Sequence, residues 1–589
     1  MDLAVLIDEA DKYAKENSVE GIIGRVTRFE SVKIGETHYV SIDISFEDYL
    51  KTQVRRGEYL AIRSIIPKVT IVGIVDTITR SDMLASLKIR ETTNNRDPST
   101  IMTPTTIQLS PIAEIDDKEK VRPAVSPIDP QSPVFRPKAE LLEKALGIPM
   151  RGVVIGNIYS GGEEIDAEVR LDEDTLRHHS LLIGTTGAGK TTTLKEIVND
   201  ENIEKQNVIF DRQGDFVRFS ISKLDDTTII MPVTKLMEGK EIQDYVIKFI
   251  DRYSNCKDVE YTDNSVVLDC GNKIRLVPYS INFGDIMNKF HKLTPYMSLR
   301  ASMAWESLIR ITKNKIIKGI SEYFSLPNKD SYIIFITEIL PRISIENLYS
   351  GYIEFESKKL PTNKSKKTQL ISTNGDKIII STKDAFFDSE KELKLPSQTT
   401  DAIERTLKAY GEYGIFNVEG SYQKLSEKIL QSRNLIIDLS WVLDYTASIE
   451  ALSTITYKIL SDFFDLKDKK YKEGKNDILS LLIMDEAHEY FPQGGEEVSK
   501  EIIEEFLNKL MRLGRVRNIG VIMATHVPDD LNPLILQLSN TKIIMRNELE
   551  IIRKMYADEF ADLLINAQPG VGLIRSIKFS NVVFRSKMI

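Results

Sequence analysis

The sequence predicts an α/β core interrupted by a mainly helical insertion and preceded by a small β-barrel. Three observations predict it. Short apolar runs alternate with helical patterns over much of the chain, which is the rhythm of a buried parallel sheet. One such run, Ser180-Leu181-Leu182-Ile183, feeds a glycine-rich turn and then a helical segment. From Val19 to Thr79, by contrast, apolar and polar residues alternate in short stretches broken by glycine, the pattern of half-buried antiparallel strands.

Length and composition set the frame. A chain of 589 residues exceeds what one core accommodates, so two to four domains, roughly, are expected. The 42% hydrophobic and 28% charged content is that of an ordinary globular protein. The net charge of −9 excludes a uniformly basic nucleic-acid binder but leaves room for a locally basic groove. Met1 to Asn17 lacks the basic start and apolar centre of a signal peptide. No apolar run approaches the roughly 20 residues that span a bilayer, so a cytoplasmic protein without membrane contact is expected. The two cysteines, Cys256 and Cys270, predict no disulfide framework and no structural zinc; two free or buried thiols are the expectation.

Along the chain, residues 1–18 read as an N-terminal arm and 19–135 as the barrel. Tyr39 to Ile44 and Tyr59 to Ile62 are among its strands. Five prolines between Arg122 and Pro137 resist helix and sheet interior alike and mark a strap or linker at its end. Residues 136–222 form the first part of the α/β core and 432–589 the second. Its strands are expected at Ser180 to Ile183, Asn207 to Phe210, Leu435 to Ile437, Leu479 to Met484, Gly520 to Ala524 and Thr541 to Met545. Thr228 to Met231 has the same character. Residues 223–431 break the rhythm with helical segments such as Ile242 to Tyr253 and Ala301 to Lys318.

The turn Gly184-Thr185-Thr186-Gly187-Ala188-Gly189-Lys190-Thr191 fits G-x-x-x-x-G-K-[ST] at every fixed position. Backbone at Gly184, Thr186, Gly187, Ala188 and Gly189 can turn its N–H groups toward phosphate oxygens, which side chains would obstruct. The helix that starts here, through Thr192, adds its positive N-terminus. Lys190 is expected to reach the β- and γ-phosphates of ATP, and Thr191 to hold Mg²⁺ through its hydroxyl.

Leu481 to Met484 is an apolar strand ending in Asp485 and Glu486. Asp485 suits the Mg²⁺ shell and Glu486 suits activation of the attacking water. His488 reads either as a phosphate or partner contact or as a solvated histidine. Asp211 and Asp215, in the turn after Asn207 to Phe210, belong at the ligand-facing strand ends or are turn caps. Glu501 to Arg512 carries a helical apolar stripe and runs into Arg512-Leu513-Gly514-Arg515-Val516-Arg517. These arginines complement the helix dipole or, beside the other motifs, reach a neighbouring subunit's γ-phosphate as a finger. Thr525 and His526 close the strand from Gly520 where a polar sensor would sit.

Together these motifs resemble the HerA/FtsK group of ring translocases, and the HerA family within it. Leu176-Arg177-His178-His179 before the loop, Asp211-x-x-Gly214-Asp215-Phe216, Asp485-Glu486-Ala487-His488 and Arg512-Leu513-Gly514-Arg515 carry the likeness. So does the stretch from Leu531-Asn532-Pro533 to Asn540-Thr541-Lys542-Ile543-Ile544. The resemblance implies a RecA-like P-loop core, a homohexamer with shared nucleotide sites, transport of double-stranded DNA, and a NurA-like nuclease partner. It implies Glu486 as general base, Arg515 as trans finger with Arg512 as second choice, and Arg177 as an additional nucleotide contact. The chain departs from the family's S-Q-R-P with Thr525-His526-Val527-Pro528, which leaves a glutamine sensor without its residue. A secretion or conjugation motor, and a nucleotide-gated clamp, are the alternative readings. For DNA contacts the sequence offers Lys358, Lys359, Lys364, Lys366 and Lys367, or loops after Asp215 and at Gln493 to Lys500. The lysines equally suit a solvated loop.

Overall fold

The computed structural model describes residues 3–34, 39–80, 101–253, 256, 258–294, 297–357, 360, 368–475, 477–490, 497–576, 578 and 581–587. They form two units, Met1–Ile203 with Ser539–Ile589, and Glu204–Leu538.

In the first unit, the helix Leu3–Glu16 buries Leu6, Ala10 and Ala14, one face at i, i+4 spacing. It is held to the barrel by Asp11, whose carboxylate accepts from Arg25 at 2.6 Å. Strands Ser18–Val26, Val40–Ile44, Tyr59–Arg63, Thr70–Arg80, Thr105–Ile115 and Pro133–Pro137 pair antiparallel. Val40–Ile44 bonds to both Ser18–Val26 and Thr105–Ile115, which closes the sheet into a barrel. Inward-facing Val40, Ile42, Ile44, Leu60, Ile62, Leu109 and Val134 fill it, as period-two alternation requires. The proline-rich strap departs from expectation. Pro133–Pro137 lies between Ser18–Val26 and Tyr59–Arg63 as a barrel strand. Its prolines occupy the two ends, and Val134 and Phe135 pair with Ile62 and Ala61 in the middle. The missing N–H groups therefore fall where the ladder stops.

The rest of this unit is a mixed sheet. Ser180–Ile183 runs parallel to Thr541–Met545, with Leu182 opposite Ile543. Thr541–Met545 pairs antiparallel with Val571–Arg575, and that with Val582–Arg585. The hairpin Val153–Ser160 and Glu163–Leu171 follows. The barrel is anchored here through Tyr59, whose hydroxyl accepts from the Val583 N–H at 3.2 Å. Burial pushes that phenol up to about 12.

In the second unit, Lys205–Asp211 lies between Asn434–Asp438 and Leu479–Met484, all parallel. Ile519–Thr525 flanks Leu479–Met484, and Thr227–Pro232 with Lys273–Tyr279 extends the other side. Every residue of Lys205–Asp211, Asn434–Asp438 and Leu479–Met484 is buried, as strands covered on both faces must be. The segment 223–431 thus opens with sheet strands. Helices dominate only from Phe283 onward, where Leu299–Phe324 and Ser397–Tyr413 gather around Trp305, Phe290 and Tyr410.

Beside Lys273–Tyr279 sits the antiparallel hairpin Asp258–Tyr261 and Val266–Asp269. Cys256 and Cys270 are joined by a disulfide, which corrects the expectation of two free or buried thiols. The hairpin register sets Asp258 opposite Asp269, so the chain just outside both strands converges to a Cα separation of 4.2 Å. The five lysines between 358 and 367, and positions 491–496, lie outside the described residues. Among the described residues no helix is long and apolar enough to cross a membrane.

Candidate functional site

The glycine-rich turn lies in the first unit. The fully buried strand Ser180–Ile183 stops at Gly184, and the helix Lys190–Asn199 begins at Lys190. Between them Gly187 and Gly189 hold φ of 74° and 105°, a region closed to most side chains. A Cβ on Gly189 would lie 2.8 Å from the Gly570 nitrogen. Gly570 in turn donates its N–H to the Ala188 carbonyl at 2.9 Å, so a second turn braces the loop from outside. Thr185 donates both its N–H and its hydroxyl to the Arg546 carbonyl, at 2.9 and 3.1 Å. Thr186 and Gly187 face solvent.

Lys190 is buried, with Nζ donating to the Gly184 carbonyl at 3.0 Å. That contact holds the ammonium within the loop. Thr191 and Thr192 are partly exposed at the first turn of the helix, while Thr193 is buried and caps back onto the Gly189 carbonyl at 3.1 Å. Sequence reasoning missed Arg546. A Cβ on Gly187 would sit 3.8 Å from its Nη2, which places the guanidinium over the loop. No ion-pair partner for Arg546 occurs among the described residues. A lone arginine at a strand end carries no motif, so nothing in the sequence singled it out. Arg177 ends the short helix Glu173–Arg177 and is paired with Glu173 at 2.8 Å.

The acidic pair lies in the second unit. Leu479–Met484 ends at Asp485, whose Oδ1 accepts from the Glu486 N–H at 3.0 Å. Glu486 adopts φ 53°, a left-handed conformation that costs a residue with Cβ about 1–2 kcal/mol. Such strain is concentrated at functional positions. Its Oε2 is 2.8 Å from His526 Nδ1 and 3.6 Å from His488 Nδ1. The two imidazoles meet edge to face at 4.7 Å, and Thr525 Oγ1 lies 3.2 Å from His488 Nδ1. Burial lowers the His488 pKa below the ordinary imidazole value, which favours the neutral ring. The next residue, Glu489, forms an ion pair with Arg212.

Asp211 proves to be a cap. Its carboxylate accepts from the backbone N–H groups of Gln213, Gly214, Phe216 and Val217. Burial pushes it up to about 6, and the facing Asp438 adds to the rise. Asp215 lies 3.8 Å from Arg218. Of the three arginines at the end of the helix Glu497–Leu513 and just beyond it, Arg517 pairs with Asp468 at 2.5 Å and lies over the Phe464 and Tyr471 rings. Arg512 and Arg515 are exposed, and neither has an ion-pair partner among the described residues.

Two left-handed glycines shape the loop, Lys190 brings a charge into it, and a strand elsewhere presents two acids. The class so defined is the P-loop NTP-hydrolysing enzyme. The family profile described as "Helicase HerA, central domain" matches residues 153–486, more than half of the 589 residues, and the chain belongs to that family. A second profile, "ATPase family associated with various cellular activities (AAA)", matches residues 447–549.

Among solved structures, the chain is similar to VirB4 of Thermoanaerobacter pseudethanolicus. That match has 12% identity and a TM-score of 0.43, covering 75% of this chain and 98% of that one. It is similar to the bacterial conjugative coupling protein TrwBdeltaN70, with 12% identity, a TM-score of 0.38, and coverage of 77% and 92%. It is also similar to the genome packaging NTPase B204 from Sulfolobus turreted icosahedral virus 2, with 17% identity, a TM-score of 0.21, and coverage of 28% and 74%. No curated protein matches the chain.

Proposed function

We propose that the protein is a homohexameric ring ATPase that couples ATP hydrolysis to translocation on, or unwinding of, double-stranded DNA. Its setting would be DNA end processing beside a NurA-like nuclease. The observation that carries the reading is membership of the HerA helicase family in a chain whose phosphate loop and acidic pair are both intact.

The roles follow from the chemistry. N–H groups from Gly184 to Thr192 and the Lys190 ammonium bind the β- and γ-phosphates. Arg546, poised over Gly187, adds a second cation. The Thr191 hydroxyl and the Asp485 carboxylate are the hard oxygen donors that Mg²⁺ prefers. When bound, Mg²⁺ neutralises charge on the transferring phosphoryl group. Glu486 accepts the proton of the attacking water as its oxygen bonds to the γ-phosphorus and the bond to the ADP oxygen breaks. Arg515 reaches the γ-phosphate bound by a neighbouring subunit, with Arg512 as second choice. Their exposure and lack of ion-pair partners among the described residues support that role. Arg177 is the additional nucleotide contact and exchanges Glu173 for phosphate on binding.

The test combines native mass measurement with two variants. Wild type should assemble as a hexamer. Lys190→Ala should lose nucleotide binding. Glu486→Gln should bind ATP yet turn it over at least about 100-fold more slowly. A monomer that hydrolyses ATP normally as Glu486→Gln would overturn the assignment.

A further inference from the structure

The strands Leu479–Met484 and Ile519–Thr525 run parallel in register, Met484 beside Met523. Residues just past each strand end therefore meet, and three of them can ligate a metal. One ligand atom each of Glu486, His488 and His526 lies within 4.8 Å of the others. For a four-coordinate ion with bonds of about 2.0–2.1 Å, neighbouring ligand atoms sit about 3.4 Å apart. The distances from Glu486 Oε2 to the two Nδ1 atoms, 2.8 and 3.6 Å, bracket that value. The three are accessible but not loose, with side-chain exposures of 22%, 14% and 40% in the order given.

The donor set decides the class of ion. Two imidazoles with one carboxylate suit Zn²⁺, Co²⁺ or Ni²⁺, whereas Mg²⁺ holds to oxygen ligands. The Thr525 hydroxyl, 3.2 Å from His488 Nδ1, gives up that contact when the ion takes the nitrogen, while the opposite ring nitrogen, Nε2, faces the Glu489 carboxylate at 3.8 Å. Such outer partners orient ligating histidines.

We propose that Glu486, His488 and His526 bind one divalent ion of the zinc class, and that the bound ion stops ATP hydrolysis by occupying the carboxylate that would accept the water's proton. Binding replaces the His526–Glu486 hydrogen bond with two metal bonds, the imidazole proton residing on Nε2. The inhibitory half rests on Glu486 as general base; the binding half does not.

The experiment titrates Zn²⁺ into the full chain, without nucleotide and with Mg²⁺ in excess, by calorimetry. Thermal unfolding is followed in parallel. One Zn²⁺ should bind per chain and raise the melting temperature. His526→Gln and His488→Gln should each weaken binding at least tenfold. Co²⁺ substituted in the wild type should give the absorption of a nitrogen- and oxygen-ligated ion, a readout that needs no variant to fold. No Zn²⁺ binding in excess Mg²⁺, or wild-type binding in both variants, overturns the site. Hydrolysis in excess Mg²⁺ is then measured with Zn²⁺ relative to each protein's Zn²⁺-free rate, with inhibition expected in wild type and lost in His526→Gln. Site-specific Zn²⁺ binding that leaves hydrolysis intact would overturn the inhibition and remove Glu486 as base, with the metal site standing.

Discussion

Replacing Arg546 with alanine isolates one cation over the phosphate loop. The backbone there is fixed independently of the side chain, because the Arg546 carbonyl accepts both Thr185 hydrogen bonds. Truncation therefore leaves the loop's brace in place. What is lost is a guanidinium whose Nη2 lies 3.8 Å from the Cβ position of Gly187, with no carboxylate to compensate among the described residues. A hydrogen bond to a charged group contributes about 1.5–3 kcal/mol. Arg546 is only half-buried, so water competes and the lower end applies, about 1.5 kcal/mol or roughly tenfold in Kd. Titration of a fluorescent ATP analogue should show that weakening at an unchanged melting temperature. Lysine, which keeps the charge and loses the fork, should recover part of it. If Arg546→Ala binds ATP as wild type does while Lys190→Ala fails to bind, the guanidinium makes no phosphate contact.

Two further predictions concern the buried acid behind the loop and the arginines after the acidic strand. Glu196 lies on the loop's own helix with neither carboxylate oxygen hydrogen-bonded among the described residues, and burial pushes it from 4.5 to about 8. For an acid raised in this way, the stability contribution is full below the unfolded value near 4.5 and is lost as pH rises through about 8. Thermal unfolding across that window should show the decline and Glu196→Gln should flatten it; an identical slope in the variant would refute the assignment. Arg517→Ala should lower the melting temperature, because it removes the Asp468 pair and the ring contacts, whereas Arg515→Ala should leave it unchanged and slow hydrolysis about 10³-fold. Mixing Arg515→Ala with Lys190→Ala subunits should restore part of the rate, and no recovery would contradict a finger supplied in trans.

The parts of the fold that sequence made legible are those fixed by short-range pattern. Leu481 to Met484 reads as a buried strand because every residue is apolar and two acids stop it. Val40 to Ile44 reads as a barrel strand because its period is two. What sequence hid depends on register between distant segments. Nothing local shows that Pro133 and Pro137 fall at strand ends, or that a hairpin brings Cys256 to Cys270. The same holds at the candidate site. Lys190 and Glu486 announce themselves by motif. Arg546 and Gly570, more than 350 positions from the loop they brace, and His526, 40 positions from its partner Glu486, do not. Asp211, read equally as ligand-facing or as a cap, became a cap once its four backbone donors were visible.

We propose duplex DNA as the cargo of this motor, and steady-state ATP hydrolysis by the wild-type protein with and without double-stranded DNA is the decisive measurement. The rate should rise with duplex DNA and fall to background in Glu486→Gln under both conditions. Rapid hydrolysis indifferent to DNA would contradict the cargo and leave only the phosphate loop's chemistry standing.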